Sequence, residues 1–282
     1  MNNQCFNTVI VAGRIGIVDA TLVRYLESVK ERTGQLLVHV TESIYNGLIP
    51  KTHIYEFLAE LSMVDGIIEE KSEVNRIVQQ TDTTLMHLPE EELQQYSHER
   101  ILKKFGIENS KNKLEPNKLI SLKEFVKCYG NNPHKRKINI GLVSGSFDLI
   151  HLGHVRYIKA AKELVDVLVV TTMSTNSIRQ QEKNIMGDRP IYSQEDRVKV
   201  LSSLRAVDYV VVFKELDCKE VIRAIRPTYF VKHEKDMSRR IVKEECELVE
   251  SFGGKVVVTR DDAGYSSTNI INYVRSIISE EG

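Results

Sequence analysis

Two stretches of the chain repeat one another at a fixed distance. A first block matches a later one without a gap at an offset of 132 residues, and a second block follows at an offset of 143. The matching pairs are Gly13 with Gly145, V-R-Y-L (23–26) with V-R-Y-I (155–158), L-L-V (36–38) with L-V-V (168–170), and F-L-A-E-L-S-M-V-D (57–65) with V-L-S-S-L-R-A-V-D (200–208). The gapless first block favours duplication over chance similarity, so the chain is expected to fold as two related units.

Short apolar runs separated by helical patterns recur in both copies. They are V-I-V-A near residue 9, L-L-V-H-V near 36, I-G-L-V near 140, V-L-V-V near 167, Y-V-V-V-F near 209 and K-V-V-V-T near 255. Strands without polar alternation, alternating with helices, are typical of parallel sheets covered on both faces. The sequence therefore predicts an α/β class with two tandem, Rossmann-like parallel-sheet units.

Composition narrows the function classes. Lysine plus arginine equals aspartate plus glutamate at 39 each, so no basic excess indicates a nucleic-acid or membrane-surface partner. The four cysteines form no C-x-x-C pair. The first residues, M-N-N-Q-C-F-N-T, lack the basic start and apolar stretch typical of a signal peptide, and no apolar run approaches the ~20 residues of a membrane span. We expect a cytoplasmic protein that holds any anionic ligand in a local site.

The segment S-G-S-F-D-L-I-H-L-G-H (144–154) follows the I-G-L-V strand and carries two histidines. Gly145 allows a sharp turn, and a helix is predicted to begin near Leu152 or Gly153. A helix N-terminus suits phosphate, and His151 and His154 lie on one side of its first turn. Alternatives for H-x-x-H are ordinary surface or core histidines and a zinc site, but no further ligand completes a zinc set. No G-x-G-x-x-G supports a dinucleotide fold.

G-S-F-D-L-I-H-L-G-H resembles the G-x-F-D-x-x-H-x-G-H signature of the nucleotidylyltransferase superfamily, and the resemblance extends over roughly residues 115 to 282. It is closest to the heptose-1-phosphate adenylyltransferase domain, followed by glycerol-3-phosphate and ethanolamine-phosphate cytidylyltransferases. The resemblance implies transfer of a nucleoside monophosphate from a nucleoside triphosphate to a phosphorylated small molecule, with release of pyrophosphate. Mg²⁺ is expected to enter with the nucleotide, since it commonly binds through substrate phosphates.

The resemblance also implies site residues. Its catalytic candidates are His151, His154 and Arg197, the last as a phosphate contact. Ser266, Ser267 and Thr268 precede an apolar-periodic helix and are assigned to the β- and γ-phosphates. The nucleotide-binding candidates are Gly145, Ser146, Phe147, Asp148, Gly153, Lys183, Arg189, Lys232, Arg260, Ser266, Ser267 and Thr268.

Two departures from the family pattern bear on the substrates. Where the heptose enzymes have V-K-G-G-D-Y, this chain has V-K-H-E-K-D (231–236), which keeps Lys232 and removes both glycines. Arg260 resembles the arginine of cytidylyltransferases, whereas more of the other segments match adenylyltransferases, so ATP is slightly favoured over CTP. The acceptor is expected to be a sugar phosphate or a polyol phosphate. A cytidylyltransferase for a phospho-alcohol and a non-catalytic nucleotide-binding regulatory protein stay open as alternatives.

The first copy lacks the chemistry of the second. Asp19 stands at the position of His151, Thr21 at that of Gly153 and Leu22 at that of His154, so this copy is expected not to catalyse transfer. The predicted domains are a degenerate unit over 1–88, a linker with short helices over 89–137 and a catalytic unit over 138–282. The first unit would be structural or regulatory, and a homodimer through either half is a further possibility.

Overall fold

The computed structural model describes residues 6–15, 18–43, 49–81, 83–88, 118–133, 135–181 and 189–260. The chain divides into two compact units, Met1–Pro116 and Asn117–Gly282. The domain bounds expected from the sequence stay a prediction. Residues 118–133, which lie in the expected linker, pack with the second unit, where Leu119 forms a parallel bridge with Val210.

The first unit is a four-stranded parallel sheet with helices between the strands. Its strand order is β3-β2-β1-β4. In chain order the elements are β1 (Phe6–Ile15), α1 (Ala20–Lys30), β2 (Thr33–Ser43), α2 (Lys51–Ala59), β3 (Gly66–Ile67), α3 (Lys71–Gln80) and β4 (Thr83–His87).

The second unit repeats this arrangement and adds one strand. Its order is β7-β6-β5-β8-β9, and the described ladders are all parallel. Its elements are α4 (Leu122–Tyr129), β5 (Ile140–Gly145), α5 (Leu152–Lys162), β6 (Val167–Met173), α6 (Thr175–Arg179), α7 (Gln194–Ser203), β7 (Tyr209–Phe213), α8 (Lys219–Ile225), β8 (Tyr229–His233), a 3₁₀ turn (Glu234–Asp236), α9 (Arg240–Ser251) and β9 (Lys255–Thr259).

These two sheets confirm the predicted α/β class. All six apolar runs singled out in the sequence lie in strands of the two sheets. The run I-G-L-V is buried over its full length, as a strand with helices on both faces requires. None of the described helices has the length and apolar character that a bilayer crossing demands.

The duplication is visible in hydrogen bonds as well as in strand order. In the first unit, Lys30 pairs with Asp65 at 2.6 Å, and the same carboxylate oxygen accepts the backbone N–H of Leu36 at 2.6 Å. In the second unit, Lys162 pairs with Asp208 at 2.7 Å, and that carboxylate accepts the N–H of Leu168 at 2.6 Å. Each lysine also donates to a backbone carbonyl four residues along the chain, at Gly34 and Asp166. Both units thus tie the first helix to the second strand in the same way.

Candidate active site

The loop that follows β5 turns tightly around an aromatic ring. Phe147 is buried and has a φ of 46°, in the left-handed region. Its ring lies against Gly145, where an added Cβ would sit 3.1 Å from two ring carbons. A side chain at position 145 would therefore displace the ring, so the glycine predicted as the turn residue is required by close packing.

The two histidines lie where this loop enters α5, whose bounds of Leu152–Lys162 agree with the predicted helix start. His151 is the N-cap residue, and its backbone N–H donates to Nδ1 of His154 at 3.4 Å. The two imidazole centroids are 4.0 Å apart, and the Phe147 ring packs edge-on against His154 at 5.3 Å. With Nδ1 of His154 accepting this N–H, Nε2 is the ring nitrogen that can donate to a ligand.

The histidines open into a cleft of about 270 Å³ at the carboxyl edge of the second sheet. The cleft brings together eight of the site residues proposed from the sequence, namely Gly145, Ser146, Phe147, His151, Gly153, His154, Arg189 and Lys232. Ligands of open parallel sheets bind at this edge, outside the carboxyl ends of the strands. The start of α5, with its positive dipole end, and the two imidazoles thus face the same cleft, an arrangement suited to one anionic ligand.

Arg197 does not line the cleft. Only 1% of its surface is exposed, and its guanidinium donates to the carbonyls of Ser146 and Met173 at 2.9 and 2.8 Å and to Oγ1 of Thr172 at 2.6 Å. Burial lowers the pKa of Arg197 to about 10, which leaves it charged at neutral pH. In this structure the terminal nitrogens of Arg197 donate to acceptors of the protein itself. The arginine therefore stabilises the loop that follows β5.

Asp148 likewise holds structure in place. Its carboxylate is buried and accepts from Nε of Arg189 at 3.1 Å and from the backbone N–H groups of Ile191 and Tyr192 at 2.8 and 3.1 Å. These bonds fix the segment that begins at Arg189 and orient that guanidinium beside the cleft. Asp148 is therefore not among the cleft-lining residues, although the sequence motif contains it.

The remaining site residues fall into two groups. Arg260 is 79% exposed in its side chain and pairs with Glu234 at 3.1 Å, so it lies on the surface and not in the cleft. Lys183, Ser266, Ser267 and Thr268 lie outside the described residues, as does the helix expected after the serines.

Several cleft residues were missed by reading the sequence. Tyr157 lines the cleft, and its buried hydroxyl donates to the carbonyl of Val231 on β8. Glu245 on α9 is buried, ion-pairs with Lys232 at 3.0 Å and also lines the cleft. His233 of the altered V-K-H-E-K-D segment and Arg239, three residues beyond that segment, also line the cleft. Of these residues only His233 had a sequence signal, because it lies in the segment that departs from the family pattern.

In the first unit, the N-terminus of the equivalent helix, α1, is capped by an aspartate side chain. Asp19 is the N-cap of α1, and its Oδ1 accepts the backbone N–H of Leu22 at 2.9 Å. A carboxylate at this position satisfies a donor that would otherwise be free for a phosphate, and it adds negative charge there.

Comparison with known proteins decides the family of the second unit. Residues 142–273 match the model described as Cytidylyltransferase-like. These residues are a cytidylyltransferase-like domain. The resemblance predicted from the G-x-F-D-x-x-H-x-G-H signature is thereby confirmed.

The chain also matches curated proteins over about half of its length. The chain is 36% identical over 157 residues to "Bifunctional protein HldE" of Nitratiruptor sp., and 38% identical over 139 residues to the protein of the same name in Geobacter sulfurreducens. These matches cover 54% and 49% of this chain but 31% and 27% of the relatives. The chain thus spans less than a third of either relative.

Two solved structures are similar to parts of this chain, at low TM-scores. A lipopolysaccharide core biosynthesis protein from Thermoplasma volcanium has a TM-score of 0.36 and 24% identity, over 44% of this chain and 95% of that one. A pantoate-beta-alanine ligase from Francisella tularensis has a TM-score of 0.39 and 17% identity, over 54% and 75%. Neither likeness bears on function at these scores.

Proposed function

We propose that the second unit is a nucleotidylyltransferase, which transfers a nucleoside monophosphate from a nucleoside triphosphate to a phosphorylated small molecule. The observation that carries this proposal is the pair of imidazoles on the first turn of α5, 4.0 Å apart and open to the cleft. Family membership of residues 142–273 and the likeness to HldE proteins support the same reaction class.

In the proposed reaction, an oxygen of the acceptor's phosphate attacks the α-phosphorus of the nucleotide. A new P–O bond forms as the bond from the α-phosphorus to the bridging oxygen of the β-phosphate breaks, and pyrophosphate leaves with that electron pair. The nucleophile is the acceptor's own phosphate, so no covalent enzyme intermediate is needed. Its oxygen is already deprotonated, so no general base is needed either. Catalysis then rests on positioning and on donors fixed around the α-phosphate.

The described residues divide into contacts and supports. Nε2 of His154, the His151 ring and the N–H groups near Gly153 would stabilise the charge at the α-phosphate, and Arg189 and Lys232 would add positive charge. Arg197 and Asp148 act as positioning residues, because both bind backbone groups of the loops that carry the contacts. Ser266, Ser267 and Thr268 stay proposed contacts of the β- and γ-phosphates.

A magnesium ion fits this cleft as a companion of the nucleotide. The described part of the chain holds no cluster of three His, Cys, Asp or Glu side chains suited to a metal, so a cage of protein ligands is not available there. Mg²⁺ usually keeps several waters and binds substrate phosphates with one or two carboxylates. Glu245 of the cleft pairs with Lys232, so Asp217 and Asp236 are the cleft carboxylates that could supply these ligands. The ion would neutralise charge on the triphosphate.

For the substrates, we propose ATP ahead of CTP and a sugar phosphate as acceptor. More segments match the adenylyltransferase pattern, and Arg260, the residue that pointed to cytidine, lies on the surface in a pair with Glu234. The first unit, with Asp19 closing its helix, would serve as a structural or regulatory half.

The test is pyrophosphate release by the full chain with each nucleoside triphosphate, with and without MgCl₂, against a panel of sugar, polyol and amino-alcohol phosphates. We expect release with ATP and a sugar phosphate, and only with added Mg²⁺. Thermal stabilisation by each nucleotide with Mg²⁺ is measured in parallel, since binding to the folded state raises stability by RT ln(1 + [L]/Kd). Stabilisation by CTP alone would reverse the choice of base. Stabilisation without turnover on any acceptor would favour the non-catalytic alternative.

A further inference from the structure

Two charged side chains of the cleft are buried against each other. Lys232, at the end of β8, and Glu245, on α9, are 5% and 3% exposed, and Nζ lies 3.0 Å from Oε2. The proposed reaction uses the lysine, whereas the glutamate has no role in it.

Glu245 also connects Lys232 to the rest of the unit. Its other oxygen, Oε1, accepts the backbone N–H of Cys218 at 2.8 Å, just ahead of α8. The ammonium of Lys232 lies 4.6 Å from the centre of the Phe230 ring. Burial, and then the charge of Glu245, raise the pKa of the Cys218 thiol to about 11, so the thiol is neutral. The lysine is thus held by one carboxylate and one ring face.

Stability alone gives a weak account of this pair. Removing two charges from water costs about as much as their attraction returns, and apolar side chains of similar volume often serve a core as well or better. A pair at the wall of a cleft differs from one in a core, because an ammonium has three N–H donors and can donate to a ligand in the cleft while it stays beside the carboxylate.

The position of Lys232 in the sheet places it beside the candidate site. β8 pairs with β5 in a register that sets Val231 opposite Val143. Lys232 therefore stands next to Ser144, one residue before the Gly145 turn that leads to the histidines, and both residues line the cleft. The cleft arginines Arg189 and Arg239 pair with Asp148 at 3.1 Å and Asp236 at 3.5 Å, and the Arg239 pair is the more exposed.

We propose that Glu245 is a positioning residue that fixes the Lys232 ammonium as a contact for a phosphate group of the nucleoside triphosphate. This inference rests on the proposed function. Without the carboxylate, a buried ammonium loses its compensating charge and its anchor, so the lysine no longer presents a fixed donor to the ligand.

The positioning role of Glu245 is tested by isothermal titration calorimetry, which measures the Kd of the full chain for ATP and for CTP, each in MgCl₂. For the nucleotide that binds the wild type, Glu245→Gln should raise Kd about tenfold, the size expected for one charge-assisted hydrogen bond. The amide oxygen can still accept from Cys218, so the fold should hold. Glu244→Gln is the matched control on the same helix, because Glu244 pairs at the surface with Lys219. It should leave Kd unchanged.

A double-mutant cycle separates positioning from a structural effect. Lys232→Met should weaken nucleotide binding about tenfold, and adding Glu245→Gln to it should cause no further loss, because the glutamate acts through the lysine. This double variant also removes both buried charges, so it should fold even if Glu245→Gln alone does not.

Two results would overturn the inference without affecting the proposed function. The first is a Glu245→Gln variant that binds the nucleotide at least as tightly as the wild type. The second is a further tenfold loss of affinity when Glu245→Gln is added to Lys232→Met. A rise confined to the KM of the acceptor would do the same, because the lysine would then serve the other substrate. A wild-type chain that binds neither nucleotide would instead defeat both proposals.

Discussion

The helix that follows the first strand begins differently in the two units, although the scaffold around it is the same. In the first unit Asp19 caps α1 with its own carboxylate, 2.9 Å from the N–H of Leu22. In the second unit His151 and His154 stand at the start of α5 with their rings 4.0 Å apart. The lysine–aspartate ties of the two units, by contrast, are equivalent atom for atom. The two units share a fold, and among the described residues the constellation suited to phosphate lies in the second unit.

A second difference lies beneath the site. Arg197 on α7 donates to the carbonyls of Ser146 and Met173. The equivalent position on α2 is Ile54, of which only 2% is exposed. A buried arginine needs acceptors around it, and an isoleucine needs none. The first unit thus has an apolar support where the second has a polar one that fixes the loop.

The largest expected effect comes from writing the first unit's residues into the second. The triple variant His151→Asp, Gly153→Thr, His154→Leu should lower kcat by at least about a thousandfold, because two transition-state donors are lost and a carboxylate faces the α-phosphate. Pyrophosphate release measures it, and circular dichroism should show an unchanged fold. Activity within tenfold of the wild type would break the comparison.

Arg197→Ile introduces the residue of the first unit under the loop of the second. Three hydrogen-bonded acceptors, at Ser146, Thr172 and Met173, would lose their donor in a buried place, so the free energy of unfolding should fall by about 3 kcal/mol. Urea denaturation measures the loss. A variant as stable as the wild type would show that the arginine does not support the loop, and its role would return to phosphate contact.

The lysine–aspartate ties should respond alike in both units. Asp65→Ala and Asp208→Ala each remove an ion pair and leave the backbone N–H of Leu36 or Leu168 without its acceptor, at a cost of about 2 kcal/mol. Denaturation of both variants gives the two values. If the free energy of unfolding fell in one variant only, the equivalent hydrogen bonds would not contribute equally to the stability of the two units.

Much of the fold was predictable because apolar runs mark buried parallel strands. The strands at residues 9, 36, 140, 167, 209 and 255 all satisfied that pattern, whereas β3, β4 and β8 were not recognised. β3 has only two residues, and β4, with the sequence T-T-L-M-H, is half-buried. The start of α5 was predictable too, because the strand, the turn glycine and the histidines are contiguous in sequence.

What could not be predicted depends on partners far apart in the chain. Arg197 was expected to face a phosphate, since nothing local shows that its acceptors at Ser146 and Met173 lie beneath a loop. Glu245 gave no signal at all, because its partners Lys232 and Cys218 reach it from another strand and another helix start. Burial of a charge is set by tertiary contacts, and local sequence patterns do not encode it.

The most direct measurement of the central claim compares two single variants in one pyrophosphate-release assay with the full chain. His154→Ala should lower kcat by about a hundredfold or more, because it removes a donor from the α-phosphate. Asp19→Ala should keep kcat within about twofold and lower the free energy of unfolding by only about 1 kcal/mol, the usual cost of a lost N-cap. Loss of activity in Asp19→Ala together with retained activity in His154→Ala would contradict the assignment of the active site to the second unit.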